Sequence, residues 1–330
     1  MKVLFIGGTG IISSACSQLA VEKGIDLYLL NRGSTFLRPV PDKAKTITGD
    51  IRDKESVKSV LKDYQFDVVV DWIAFTPEHI QTDIELFKNK TGQYIFISSA
   101  SAYQTPPLKL PVTEETPLDN PVWQYSRDKI ACEELLFKNY KQTGFPVTVV
   151  RPSHTYDRTL LPNHGRWTEI DRMRKGKKVV VHGDGTSIWV LTHHRDFAAG
   201  LVGLLGNHRA IGEAFHITSD ELLTWNGIFR LLAEAAGAEA HIVNVPSAFI
   251  NAFDPGWGDG LLGDKTHSML FDNSKIREFV PEFNPRIPFA EGAKEIINWY
   301  LDNPEQQKIN NNYNILLDNI ISAYLSALPK

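Results

Sequence analysis

Tyr125 and Lys129 stand four positions apart in the stretch QYSRDKIACEELL, a phenol beside an ammonium and so a pair able to move a proton. On a helix, residues at this spacing are neighbours, about 5–6 Å apart at Cβ, and both side chains can face one cleft. A free phenol has a pKa of about 10 and is a poor base at neutral pH, whereas a nearby ammonium favours the phenolate. The spacing therefore predicts that Lys129 activates Tyr125. Two residues can also share a helix face without doing chemistry, and only Tyr125 among the ten tyrosines has a lysine at this spacing. A third group comes from the apolar run YIFIS, which continues as SASAY and carries Ser99 at its end, 26 residues before Tyr125.

These groups need a scaffold that brings them to one edge, and the alternation of the chain predicts it. Lys2–Ile6 reads as a strand that stops at Gly7-Gly8-Thr9-Gly10; a helical stretch to about Gly24 follows, and then the apolar run IDLYLL. Two strands joined through a helix lie parallel with a right-handed crossover. The pattern continues through strand KTIT, a helix from about Lys54 to Tyr64, strand DVVVDWI, a helix through IQTDIELFKN, strand YIFIS, a helix beginning near Pro121, and strand VTVV ending at Arg151. Asn120 or Asp119 is the expected cap of that last helix and Gly144 its stop, with Ala131, Leu135, Cys132 and Leu136 as its buried stripe.

The fold class expected is α/β, a Rossmann-type doubly wound parallel sheet with a smaller C-terminal α/β substrate lobe. Residues 1–165 are assigned to a dinucleotide-binding domain. The chain is expected to return to it near 190–218, where AFHIT rejoins the main sheet, and 166–330 to supply most of the substrate lobe. From Asn314 to Leu328, Leu316, Leu317, Ile320, Ile321, Tyr324 and Leu328 recur at helical spacing, which predicts a helix packed on its own chain.

In such a sheet, ligands sit at the carboxyl ends of the strands. Gly7, Gly8, Thr9, Gly10, Ile11 and Ile12 follow the first strand and open the first helix. A backbone without Cβ there lets a pyrophosphate approach the free N–H groups of the helix N-terminus. Ser13 stands where the usual fingerprint has its third glycine. After the second strand, NAD sites usually carry a carboxylate. Here Asn31 is neutral and Arg32 can face a 2′-phosphate, which favours NADP over NAD. Asp50 and Ile51, after the third strand, are placed to hold the adenine.

Composition limits the partners. Hydrophobic residues make up 42% and charged residues 22%, a globular mixture, and a net charge of −4 gives no basic field to attract nucleic acid. Cys16 and Cys132 fall in helical segments with no second sulfur nearby, which suits a reducing cytoplasm. The N-terminal apolar run is too short for a signal-peptide core, so a cytoplasmic location is expected and no membrane partner. The ten histidines show no metal-binding spacing. His193 and His194 are expected to diverge along a strand, and no metal is assigned.

The glycine turn, Ser99, and Tyr125 with Lys129 together resemble the extended short-chain dehydrogenase/reductase family. Its members carry a GxxGxxG turn, a serine or threonine after the fifth strand, and YxxxK on the next helix. The resemblance is specific through Arg151-Pro152, and GDG at Gly183–Gly185 and HHRDFA are similar to the family's second half. It implies that Ser99 holds the substrate hydroxyl, Tyr125 is the acid/base, and Lys129 also binds the nicotinamide ribose. Gly7 to Ile12 would line the pyrophosphate, with Pro152 beside the cofactor.

The resemblance also bears on the reaction. Family dehydratases have an Asp-Glu pair directly after the catalytic hydroxyl residue; Ala100 and Ser101 here disfavour dehydration. The expected function is an NAD(P)-dependent sugar epimerase, its substrate a sugar nucleotide, acting through a keto intermediate. The alternatives are an NADPH-dependent reductase, a non-catalytic cofactor sensor, and an RNA-binding relative like the chloroplast stem-loop-binding proteins. Where nucleotide-sugar enzymes often have asparagine and arginine near the diphosphate, this chain has His154 and Trp189. Arg195, Lys265 or the basic cluster Arg172, Arg174, Lys175, Lys177 and Lys178 are the other candidates for phosphate, although that cluster also reads as a solvated helix end. The oligomer is left open, a homodimer included.

Overall fold

The computed structural model describes residues 1–33 and 37–329. Seven strands form one parallel sheet: β1 (Lys2–Ile6), β2 (Asp26–Asn31), β3 (Lys45–Thr48), β4 (Phe66–Asp71), β5 (Thr91–Ile97), β6 (Val147–Pro152) and β7 (Ala214–Ile217). Their order is β7-β6-β5-β4-β1-β2-β3. The interior strand β1 pairs on both sides, Val3 with Leu27 and with Val68. Val3, Leu4, Phe5 and Ile6 are all fully buried, because helices cover both faces of the sheet and leave no face for polar residues. One face is filled by Phe5, Val70, Phe197 and Phe215, the other by Leu4, Val69, Phe96 and Leu136.

The covering helices include α1 (Ile11–Glu22), α2 (Lys54–Val60), α3 (Pro77–Phe87) and α4 (Gln124–Thr143). From β1 the chain winds outward through β2 and β3, then crosses to β4 and winds the other way. The reversal opens a crevice between the carboxyl ends of β1 and β4, where this architecture binds ligands. The glycine turn leaves β1 on one side of it, and Trp72–Phe75 leaves β4 on the other. The segment read as AFHIT does rejoin this sheet, as β7 beside β6.

Helix α4 begins at Gln124, three residues later than Pro121. The Asn120 carboxamide accepts from the N–H groups of Val122 and Trp123, so it caps a bend ahead of the helix rather than the helix itself. Gly144 stops α4 in the left-handed conformation, φ 73°. Cys132 and Leu136 are buried as expected, whereas Ala131 and Leu135 are only half-buried.

Helix α6 (His194–Leu204) covers the sheet face that holds Phe197. Beyond the sheet lie α5 (Trp167–Arg174) and short strand pairs: Val179–His182 with Ile242–Val245, Ile188–Trp189 with Leu223–Thr224, and His154–Tyr156 with Leu191–His193. They enclose a core of their own that includes Trp167, Ile228, Phe289 and Ile296. The final helix, Asn311–Ala327, buries Leu317, Ile320 and Ile321 against Val180 and Val243 of the same chain, while Leu328 lies past its end and is exposed. None of the described helices is long and apolar enough to cross a membrane.

Candidate active site

The glycine turn is shaped by what packs behind it. Gly7 and Gly8 have φ of 102° and 101°, a region that side chains rarely adopt. A Cβ on Gly8 would meet Leu29 at 2.6 Å, so this glycine seats the turn on the sheet, and the Ser17 hydroxyl locks it by donating to the Gly8 carbonyl. Gly10 precedes α1, and no side chain caps the first helical turn, which leaves its backbone N–H groups free for an anion. Ser13, in the third glycine position, accepts from the Gly10 N–H at 2.7 Å and so fixes the turn by a hydrogen bond. A dinucleotide pyrophosphate fits this cradle.

Across the crevice, Trp72–Phe75 is held by a buried carboxyl pair invisible in the sequence. Asp71 at the end of β4 accepts from the N–H groups of Ile73 (2.6 Å) and Ala74 (2.9 Å). Behind it the buried Asp83 carboxyl of α3 neighbours Asp71 and accepts from the Tyr94 hydroxyl at 2.6 Å. Burial first, and the neighbouring Asp71 charge second, raise the Asp83 pKa, so the folded protein holds a proton there that the unfolded chain releases. Stability from this group is complete below the unfolded carboxyl pKa and is lost as pH rises through the higher folded one. Asp83→Asn keeps the shape and cannot ionise. It is expected to flatten the loss of stability with rising pH, measured as urea midpoints between about pH 5 and 9.

Ser99 ends the run after β5, and Tyr125 and Lys129 rise on α4 opposite it. Ser99 and the Tyr125 phenol line the same cavity, and the serine hydroxyl favours the phenolate. Lys129, only 2% exposed, donates from Nζ to the carbonyls of Ala74 (2.7 Å) and Ile97 (2.8 Å) and lies between the rings of Phe75 and Phe96, 4.7 Å from each centroid. Burial lowers its pKa to about 8. The expectation that Lys129 activates the phenol is not met in this geometry. The ammonium stands 5.8 Å from the Tyr125 ring centroid and is committed to carbonyls; burial raises the Tyr125 pKa, and the nearby Ser99 hydroxyl opposes that rise. The side chain is drawn down to the Trp72–Phe75 segment and the end of β5, whose carbonyls a buried ammonium must meet.

Ser99 and Tyr125 open into a cavity of about 550 Å³ that also includes Ile11 and Pro152 and runs between the sheet edge and the second lobe. Trp123, Trp189, Trp225 and Trp257 line it, with Arg166, Glu169, Asp264 and Lys265 as the charged side chains. Asp264 pairs with Lys265 at 3.1 Å, and Glu169 accepts from Asn163, Gly165 and Tyr313. None of Trp257, Arg166, Glu169 and Asp264 is marked by a motif; they arrive by packing of the second lobe.

The model of the NAD dependent epimerase/dehydratase family matches residues 3–218, about two thirds of the chain. The chain belongs to that family. It is 27% identical over 326 residues to the chloroplast stem-loop binding protein of 41 kDa b from Arabidopsis thaliana, covering 95% of this chain and 79% of that one. It is 34% identical over 168 residues to the UDP-glucose 4-epimerase of Lactobacillus helveticus, 46% of this chain and 51% of that enzyme. The crystal structure of UDP-glucose 4-epimerase from Bifidobacterium longum, in complex with NAD+ and UDP, superposes with a TM-score of 0.75 at 19% identity, covering 93% of this chain and all (100%) of that one. This chain is thus an enzyme of the NAD-dependent epimerase/dehydratase type with the fold of those relatives.

Against that family frame, several expected site residues fall elsewhere. Arg195 lies outside the cavity: its side chain is 58% exposed and pairs with Glu295, because the first turn of α6 directs it to the helix at Phe289–Asp302. His154 does line the cavity, but its Nδ1 accepts from the Trp189 indole at 3.1 Å, and burial lowers its pKa to about 3. Its burial thus disfavours the charged imidazolium. Arg172 does not belong to a solvated helix end: it is buried and ties α5 to Asp318 of the last helix. His193 and His194 do not diverge; the strand ends at His193 and α6 begins at His194, leaving the rings 4.6 Å apart.

At the far end of the crevice, Arg32 is 70% exposed and 3.8 Å from Asp50. The Asn31 carboxamide accepts from the Gly33 N–H. Ile51 is buried in the core, so only its backbone can face an adenine.

Proposed function

We propose that the protein is an NAD(P)-dependent sugar epimerase whose substrate is a nucleotide-linked sugar and whose working groups are Ser99, Tyr125 and Lys129. The observation that carries this reading is the convergence of Ser99 and Tyr125 with Ile11 and Pro152 at one cavity mouth, with Lys129 on the same helix. Gly7 to Ile12 hold the pyrophosphate, Asn31, Arg32, Asp50 and Ile51 the adenosine, and Pro152 the nicotinamide end. On this reading residues 1–165, with the return near 190–218, carry the cofactor, and most of 166–330 carries the substrate.

Bound NAD(P) would supply the hydride acceptor and donor. The protein's own part begins at Tyr125 Oη, which takes the proton of a sugar hydroxyl held by Ser99 Oγ as its carbon becomes a ketone. Lys129 would hold the nicotinamide ribose. Turning the keto sugar over in the cavity would offer the opposite face of its carbonyl carbon to the returning hydride, and Tyr125 would give the proton back to the oxygen, so that the carbon is inverted. Ala100 and Ser101 offer no extra acid beside the ketone, which supports epimerisation over elimination of water.

Arg32 favours NADP, while Asp50 beside it would repel a 2′-phosphate. The test is to identify any dinucleotide that copurifies, by mass spectrometry, and to follow UDP- and dTDP-linked hexoses by NMR. Tightly held NAD with inversion at one carbon supports the epimerase. An empty protein that consumes NADPH overturns it in favour of the reductase. RNA binding is a second reading, favoured by the likeness to the Arabidopsis protein over 95% of this chain; salt-dependent retention of a stem-loop RNA would support it.

A further inference from the structure

Hydroxyl groups extend the site inward from Ser99. Ser126, fully buried on α4, donates from Oγ to Ser101 Oγ at 2.8 Å. Ser101 Oγ lies 2.9 Å from Ser99 Oγ, and the Ser101 backbone N–H also donates to Ser99 Oγ at 3.2 Å. The Asn120 carboxamide pins this short turn by donating to the carbonyls of Ser101 and Gly263.

A serine hydroxyl has one proton to give and two lone pairs to receive. Ser101 already receives from Ser126, and for its own proton the acceptor in reach is Ser99 Oγ. The reverse arrangement, Ser99 donating to Ser101, would strand the Ser101 proton in a group only 5% exposed, and unpaired buried donors are costly. Ser99 thus receives from both the hydroxyl and the N–H of Ser101. Its lone pairs are filled and its one proton is directed outward, at the Tyr125 phenol or a substrate oxygen.

We propose that Ser101 and Ser126 are positioning residues that make Ser99 a fixed hydrogen-bond donor to the Tyr125 oxygen, which stabilises the phenolate in a site where Lys129 does not reach it. The proposal rests on Tyr125 being the acid/base group. Donor chains of this kind polarise one another, so loss of an inner member weakens the last bond. Ser101 therefore acts through Ser99, and no proton needs to travel along the chain.

The test is the ionisation of one phenol in the folded protein, read as tyrosinate ultraviolet absorbance with the Tyr125→Phe protein as blank. Ser101→Ala and Ser126→Ala are each expected to move that titration upward by roughly 0.5–1 pH unit, the worth of about one neutral hydrogen bond, while Ser101→Thr keeps it near the native value. The same upward shift is expected in the pH dependence of kcat/KM. A Ser101→Ala protein that folds and titrates as the native protein does overturns the proposal. If that variant fails to fold, Ser126→Ala carries the same decision. Because the titration needs no turnover, it stands apart from the assignment of Tyr125, which fails if Tyr125→Phe remains active.

Discussion

Tyr125→Phe is expected to lower turnover by about 10²–10⁴-fold, the usual worth of a positioned acid/base group, while NAD(P) affinity stays nearly unchanged. The substitution removes one oxygen and little else. The Tyr125 ring packs against Trp123 at 4.9 Å, and phenylalanine keeps that contact. Lys129 is tied to Ala74 and Ile97 rather than to the phenol, so its place beside the ribose is kept. Steady-state turnover and calorimetric titration of the cofactor check the two halves separately. Equal losses in both would mean that the ring supports the crevice and does not act on substrate.

Glu133→Ala carries the largest expected effect on stability. The Arg151–Glu133 pair joins β6 to α4, with side chains 4% and 1% exposed and a shortest contact of 2.6 Å. Glu133 also accepts from the Ser98 hydroxyl at 2.5 Å, one residue before Ser99, and the Arg151 guanidinium lies 4.8 Å from the Tyr103 ring centroid. Removing the carboxylate leaves a guanidinium buried with no counter-charge, a loss of about 3–5 kcal/mol in similar pairs. Replacing both partners, as in Glu133→Leu with Arg151→Met, is expected to be milder than the single change, because no buried charge is left over. Urea unfolding of the two single variants and the double variant measures the coupling. Additive losses would show that the pair is not the source of the effect.

Sequence carried the fold and the inner site because both depend on local pattern. Alternating apolar runs and helical spacing determine the sheet, and Tyr125, Lys129 and Ser99 belong to elements whose direction that pattern sets. It carried less of the rest. Lys129 was readable as a neighbour of Tyr125, yet which carbonyls its ammonium would meet depends on where β4 and β5 end. Asp83 gave no signal, since its burial follows from packing of α3 against Tyr94. Arg195 was misplaced because one turn of α6 separates a side chain facing the cavity from one facing Glu295. The substrate-side groups Arg166, Glu169, Trp257 and Asp264 come from segments far apart in the chain, and only the tertiary fold gathers them.

The double duty of Lys129 has a consequence for how such chains diverge. Its ammonium fastens the segment after β4 and the end of β5 to a helix, so replacing it would strand the carbonyls of Ala74 and Ile97 whether or not any reaction takes place. The oxygen of Tyr125 has no comparable structural duty. A lineage that abandons catalysis is therefore expected to shed the phenol first and retain the amine, which makes the tyrosine the better marker of a working descendant.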